Sequence, residues 1–250
     1  MMVRINWLAA GALSLGLCSS ALAQIAGAVK LSGTPPEMPE ITAIKNLPDC
    51  AKMHKDPVYE ETVLVGDNGE LDNVVVSIKP AAGQRLKGDI PKTPATIDQK
   101  ACMYRPHVVA CMIGQDFVVK NSDEFLHNVH ALCFDNDPFN FGQPAPGEKK
   151  LAPFTVAENF KIKCDVHPWM SAWICVFDHP YFGVTGEDGK YSIDTKGLPD
   201  GDYTLDAWQE KYGEQTQKIT VKDGKATADF TFKSDEKTQA NPIRPRHPVS

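Results

Sequence analysis

The sequence has little of what several protein classes require. Its 250 residues carry no excess of positive charge: 26 Lys+Arg stand against 32 Asp+Glu, a formal net charge of −6. A nucleic-acid partner, which favours a basic face, is therefore not expected. Beyond residue 23 no apolar run is long enough to cross a bilayer, so no transmembrane segment is expected in that stretch. Heptads, solenoid repeats and helices of ordinary length are missing from the pattern. So are a glycine-rich phosphate loop, a catalytic acid/base pair and a nucleophile triad, and an enzyme is not expected. What is there points elsewhere. Nineteen prolines and eighteen glycines favour many short strands joined by turns. Seven cysteines make an odd count, so at least one is unpaired, cleaved off or bound to a metal.

The amino terminus accounts for one of the seven. Residues 1–23 combine Arg4, an apolar run from Leu8 to Leu17 and the small-x-small end Ala21-Leu22-Ala23. This is the pattern of a cleaved signal peptide, and the run is too short for a membrane anchor. Cleavage before Gln24 removes Arg4 and Cys18, taking the charge to −7 and leaving six cysteines. The expected compartment is the bacterial periplasm, where disulfides persist.

Residues 24–92 and the stretch after residue 179 share one texture. Ile25 to Leu31, Val63 to Val65 and Asn73 to Ile78 read as strands, and residues 80–95, with three prolines and two glycines, read as a linker. A central block follows: Val108 to Ile113, Asp116 to Lys120, Asn128 to Leu132, Asn159 to Lys163 and Ala172 to Phe177 read as strands, with Gly147 to Lys150 in a turn. Tyr191 to Ile193, Asp202 to Trp208, Gln217 to Val221 and Thr227 to Phe232 come last, separated by Asp-Gly turns. Residues 234–250 are polar with three prolines and read as a disordered tail.

Chemistry concentrates in Cys164-Asp165-Val166-His167-Pro168-Trp169-Met170. A thiolate, an imidazole and a thioether fall within seven residues between two strand-like stretches. Upstream lies Leu126-His127-Asn128-Val129-His130. Two His, one Cys and a weak axial Met form the donor set of blue copper, because soft sulfur favours Cu(I) while imidazole accepts both oxidation states. Strand alternation turns His130 to the face opposite His127. Zinc could occupy the same set, although Met is a poor zinc donor.

These two motifs resemble those of the cupredoxins, in particular the amicyanin-like (plastocyanin-like) type 1 blue copper members. The resemblance covers roughly residues 96–178 and extends through Tyr104, Gly114 and Asn121. It implies copper ligation, one ion per chain cycling between Cu+ and Cu2+, by His127, Cys164, His167 and Met170. Leu126 and Trp169 depart from the family pattern without removing a donor. The last segment, from Gly183-Val184-Thr185 through Leu198-Pro199-Asp200-Gly201-Asp202-Tyr203, resembles a prealbumin-like (carboxypeptidase regulatory-like) sandwich. Its customary opening strands are missing after residue 179 but have counterparts at Gly27-Ala28-Val29 and Asn73 to Ile78. The expected fold is all-β: a cupredoxin Greek-key β-sandwich over residues 93–178 and a second, small prealbumin-like sandwich at 179–233. Residues 24–92 supply either the first half of a split second sandwich or an extension of the cupredoxin barrel.

The expected function is one-electron transfer in the periplasm, with the edge of His167 near the surface and Pro168 and Trp169 in an apolar docking patch. Redox partners are a c-type cytochrome or, from the resemblance alone, a quinoprotein dehydrogenase. The alternative is a non-redox binding or assembly subunit of a larger periplasmic complex, with a structural or lost metal site. Five cysteines remain after Cys164 is assigned: Cys50, Cys102, Cys111, Cys133 and Cys175. Their connectivity is open from sequence, with Cys50–Cys102 the preferred pair because both sit in loop-like contexts.

Overall fold

The computed structural model describes residues 23–235. The expected signal peptide, apart from Ala23, and the tail beyond Asp235 lie outside the described residues. Two strands open the described chain: β1 (Gln24–Ser32) and β2 (Val75–Lys79). Between them lie a 3₁₀ helix (Thr42–Asn46) and the four-residue α1 (Pro48–Ala51). The central block runs β3 (Ala95–Lys100), β4 (Met103–Arg105), β5 (Val108–Met112), β6 (Phe117–Asn121), β7 (His127–Leu132), β8 (Asn140–Gln143), β9 (Gly147–Leu151), β10 (Asn159–Lys163) and β11 (Ser171–Phe177). The last stretch runs β12 (Phe182–Val184), β13 (Lys190–Asp194), β14 (Gly201–Gln209), β15 (Gly213–Val221), β16 (Ala226–Thr227) and β17 (Phe230–Lys233). The architecture is all-β, and no helix among the described residues is long and apolar enough to cross a membrane.

The central block forms one sandwich. A sheet ordered β4-β3-β6-β9 and a sheet ordered β5-β11-β10-β7-β8 bury their inner faces in a single core. Ile97 and Val119 from the first sheet meet Val129, Ile162 and Ile174 from the second, all fully buried. Period-two alternation produces this, as in β10, where Phe160 and Ile162 face inward and Asn159, Lys161 and Lys163 outward.

The flanking strands share the other sandwich. β1 pairs antiparallel with β13 and parallel with β16 and β17, while β2 lies between β12 and β14. Ile25, Val29, Ile78, Leu205 and Phe232 meet in its core. Gly27 is required where the chain crosses closely: a Cβ there would stand 1.7 Å from the Ala228 carbonyl oxygen.

Several strands depart from expectation. Gly147 to Lys150, expected in a turn, lies in strand β9 and pairs with β6 at a sheet edge. Its residues are exposed on both faces up to Leu151, so no alternation marks it in the sequence. Val63 to Val65 forms only an isolated bridge, Val65 to Leu71. β3 carries no clear strand pattern in the sequence because its third inward position is polar: Gln99 is fully buried and donates to Gln143 Oε1 at 2.7 Å.

A third apolar cluster joins the two sandwiches. Val108, Cys175 and Phe177 of the central block pack with Val75, and Trp173, Phe182, Val184 and Trp208 complete the contact. Phe182 stacks on Phe177 at 4.9 Å and Trp173 meets Trp208 edge-on at 5.1 Å. Beside them the buried Glu210 carboxylate bonds His107 Nε2 at 2.5 Å and accepts from Trp173 Nε1 at 2.8 Å. Burial alone would raise the Glu210 pKa, but the His107 and Trp173 bonds outweigh it and hold it below the ordinary carboxylate value. The stabilisation is therefore full above the unfolded pKa and is lost as pH falls through the folded one. Glu210→Gln should cost about 1–3 kcal/mol at pH 7, the range for a buried charged hydrogen bond. Urea unfolding at several pH values checks this, and the gap between variant and wild type should shrink under acid.

Candidate metal centre

The site sits where β7 begins and where the loop from β10 to β11 turns back. His127 opens β7 with its side chain inward and fully buried, and Cys164 follows the last residue of β10. The loop closes on itself: Cys164 N–H donates to the Met170 carbonyl at 3.1 Å and Met170 N–H to the His167 carbonyl at 2.9 Å. This folding brings three side chains of the expected set together. His127 Nδ1 and His167 Nδ1 stand 3.0 Å apart, and Cys164 Sγ lies 3.7 Å from His167 Nδ1. One donor atom from each residue lies within 4.8 Å of the others. Met170 is fully buried at the end of the loop, in the same core as Cys164.

The surroundings decide which atoms point inward. Asp123 Oδ2 lies 2.8 Å from His127 Nε2, which leaves Nδ1 facing His167 and Cys164. Asp123 is itself fixed by the amides of Ala101 and Cys102, at 2.8 and 2.9 Å. Both residues adopt left-handed φ, 52° and 55°, which turns their N–H groups to the carboxylate. Burial alone would raise the Asp123 pKa, yet the bonds from His127 and the two amides keep it low. For His127, burial pushes the pKa down, while Asp123 and the Cys164 sulfur together raise it.

Cys164 receives two backbone donors, Asn128 N–H at 3.5 Å and His167 N–H at 3.4 Å. Burial would raise its pKa, but bonds from His127, His167 and those amides outweigh it and bring the thiol down to about 6. By contrast Cys111, buried in the core, is pushed up to about 12 by burial. Asn128 also straps the loop to β7: its Oδ1 accepts the Asp165 amide and its Nδ2 donates to Asp165 Oδ2 at 3.2 Å. Tyr104 adds a second strap, donating to the Asn128 carbonyl at 2.6 Å and the Lys163 carbonyl at 3.2 Å. Lys163, Asn140 and His130 all bond Asp165 and hold its carboxyl well below the usual range.

The donor chemistry fits a soft cation. Two imidazole nitrogens and a sulfur of thiolate character converge in a buried space, and the nearest carboxylate, Asp123, is engaged on the far side of the His127 ring. Such a cluster favours Cu(I) or Cu(II) over a hard cation.

One expectation about the site fails. His167 was expected with its edge near the surface, but only 4% of the residue is exposed. Its ring is flanked by Phe125 at 6.1 Å and Trp169 at 5.3 Å. Cys50, on α1, is disulfide-bonded to Cys102, and both sulfurs lie within 4.8 Å of a His167 ring nitrogen. Ile41 and Ile44 of the same segment join the core beneath. The amino-terminal segment therefore covers the ring, and Trp169 Nε1 reinforces the cover by donating to the Cys102 carbonyl at 3.0 Å. Pro168 is exposed, while Trp169 is only half-exposed.

The other histidines sit apart from the cluster. His130 turns to Asp165 at 3.0 Å on the opposite side of β7. His107 and His179 lie where the two sandwiches meet, the latter between the rings of Phe177 and Tyr181. His54 Nε2 bonds the Ala101 carbonyl at 2.7 Å. Cys50–Cys102 is the disulfide of the described residues, while Cys111, Cys133 and Cys175 take no part in one. Asp123 is the functional-looking residue that sequence reasoning missed.

No protein-family model and no curated protein matches this chain. Solved structures are similar over part of it. A Cu-containing nitrite reductase (NirK) from Thermus scotoductus SA-01 aligns at 18% identity and TM-score 0.32, covering 40% of this chain and 25% of the reductase. This chain thus spans about a quarter of that protein's length. A purple cupredoxin from Nitrosopumilus maritimus aligns at 20% identity and TM-score 0.29, covering 33% of this chain and 99% of the cupredoxin. An oxidised amicyanin variant aligns at 17% identity and TM-score 0.31, over 41% of this chain and 98% of amicyanin. At such identity no ligand or activity is carried over from them.

Proposed function

We propose that this chain is an exported single-electron carrier that would hold one copper ion at His127, Cys164 and His167, with the Met170 thioether as a further, weak donor. The observation that carries the reading is the convergence of His127 Nδ1, His167 Nδ1 and Cys164 Sγ in a buried, preassembled cluster. Copper in such a set supplies a Cu(I)/Cu(II) couple. The protein's part is to keep the donors still. Asp123 fixes the His127 ring, Asn128 and Asp165 fix the loop, and the Asn128 and His167 amides disperse charge on the sulfur. A stiff donor set suits electron transfer because little has to move when the charge changes. In this reading the chain is a carrier and not an enzyme.

Its compartment is the periplasm, on the strength of the amino-terminal pattern ending at Ala23. The central block is a copper module set between two halves of the second sandwich. Leu126 and Val166, each more than two-fifths exposed, and Pro168 give the pole an apolar rim suited to brief encounters. The partner is a c-type cytochrome or a quinoprotein dehydrogenase.

Titration with Cu(II) tests the reading. One equivalent should turn the folded, colourless protein intensely blue, and a folded chain that stays colourless would overturn it. Asp123→Ala should weaken copper binding about 10–100-fold, the usual loss when a partner of a ligating imidazole is removed. Competition with a chelator of known affinity measures that loss.

A further inference from the structure

The Cys50–Cys102 disulfide has no part in the carrier reading, yet it lies against the donor cluster. Its two sulfurs and a ring nitrogen of His167 all lie within 4.8 Å of one another. Cys50, Cys102 and His167 are 1%, 0% and 4% exposed. A second group overlaps this one: Cys102 Sγ, an Asp123 oxygen and a His127 nitrogen also fall within 4.8 Å. A cross-link serving only to tether the amino-terminal segment could sit anywhere along it. This one is placed against the rings of both candidate imidazole ligands.

We propose that the dithiol form of Cys50 and Cys102 makes, with His167, a second Cu(I) site beside the first. The disulfide accepts two electrons and two protons from a dithiol reductant, which leaves as its own disulfide, and the S–S bond becomes two thiols. The two thiols and the His167 ring N–H give up their protons to solvent when Cu(I) binds beside the first site, so the ion meets two thiolates and one nitrogen of a bridging imidazolate. Soft sulfur donors select Cu(I) in such a set. Zinc is disfavoured because it takes four donors in a closed site. A disulfide oxidant takes two electrons from the two thiolates and two protons from solvent and leaves as a dithiol; the S–S bond reforms, both donors are withdrawn, and the ion is released. His167 serves both sites as an imidazolate, in which each of the two ring nitrogens offers a lone pair.

The segment bearing Cys50 is held by side-chain packing rather than by a sheet ladder. It contains a 3₁₀ helix of five residues and an α-helix of four, tied to the rest by few strand pairings. Local opening of such a segment costs far less than opening a sheet.

Anaerobic Cu(I) titration of the full chain against a chromogenic chelator tests the proposal. One sample keeps its disulfide; the other is reduced with a phosphine that is then removed. The reduced form should bind one more Cu(I) per chain, and X-ray absorption should show more short copper–thiolate sulfur per copper. The Cys50→Ser/Cys102→Ser double variant should show no difference between the two treatments. Cys111, Cys133 and Cys175 are present in both samples and cancel in the comparison. Should the double variant fail to fold, Cys164→Ser serves instead, because its reduction-dependent ion should persist. Equal Cu(I) binding by the two forms of the wild-type chain would overturn the proposal. Failure of the carrier reading gives a different result: no blue colour with Cu(II), with the reduction-dependent increment intact.

Discussion

Cys164→Ser should abolish the blue colour of the copper-loaded protein entirely while leaving the chain folded. The colour of a cupric thiolate arises from the sulfur, and a serine hydroxyl cannot replace it: oxygen is harder and holds its proton far more tightly. The fold should survive because the hydroxyl is close in size to the thiol. It also inherits two ready donors, the Asn128 amide and the His167 amide. The Asn128–Asp165 and Tyr104 straps do not pass through the sulfur, so the loop keeps its shape. Visible absorption after Cu(II) addition and far-ultraviolet circular dichroism read the two halves of this expectation. A variant that stays blue would move the thiolate to Cys111, Cys133 or Cys175. Cys111, pushed up to about 12 by burial, is poorly suited to that role.

The site was legible in the sequence where donors are dense along the chain. Cys164, His167 and Met170 fall on one short loop between β10, which alternates cleanly, and β11, an apolar run buried on both faces from Ile174 to Phe177. His127 was legible because strand alternation separates it from His130, and the two do face opposite ways: one is fully buried, the other is held by Asp165. Asp123 was not legible. It precedes β7, outside any periodic pattern, and only the left-handed turn at Ala101 and Cys102 brings its amide partners to it. The cover over His167 was equally hidden, since Cys50 is more than a hundred residues away and no local signal says where a disulfide loop will lie. In the fold, β6 and β10 announced themselves by alternation, while β5 and β11 read as near-continuous apolar runs. β9 did neither, being polar on both faces at an edge, nor did β3, whose buried Gln99 broke the alternation.

Leu205→Ala should produce the largest loss of stability, about 2–5 kcal/mol, the range for a buried leucine truncated to alanine. Leu205 is fully buried on β14, opposite Ile78 of β2 and Gln217 of β15. The shortened side chain leaves a void between two sheets that cannot close up, because β14 is held by neighbours on both sides. The effect is expected to reach beyond that sandwich. β2 leads into the central block and β12 leads out of it, and both belong to the same sheet as β14, so both chain connections to the central sandwich pass through the weakened sheet. The end of β14 also reaches the junction: Trp208 packs on Trp173, and Glu210, just past the strand, accepts from Trp173 and bonds His107. Trp173 lies on β11, three residues from Met170. Thermal unfolding should therefore remain a single transition, shifted down by roughly 4–20 °C for a chain of this size. The blue absorbance of the copper-loaded variant should vanish in the same transition as the tryptophan fluorescence change. Colour that outlasts the fluorescence transition would show instead that the two sandwiches unfold independently and that the aromatic junction transmits little.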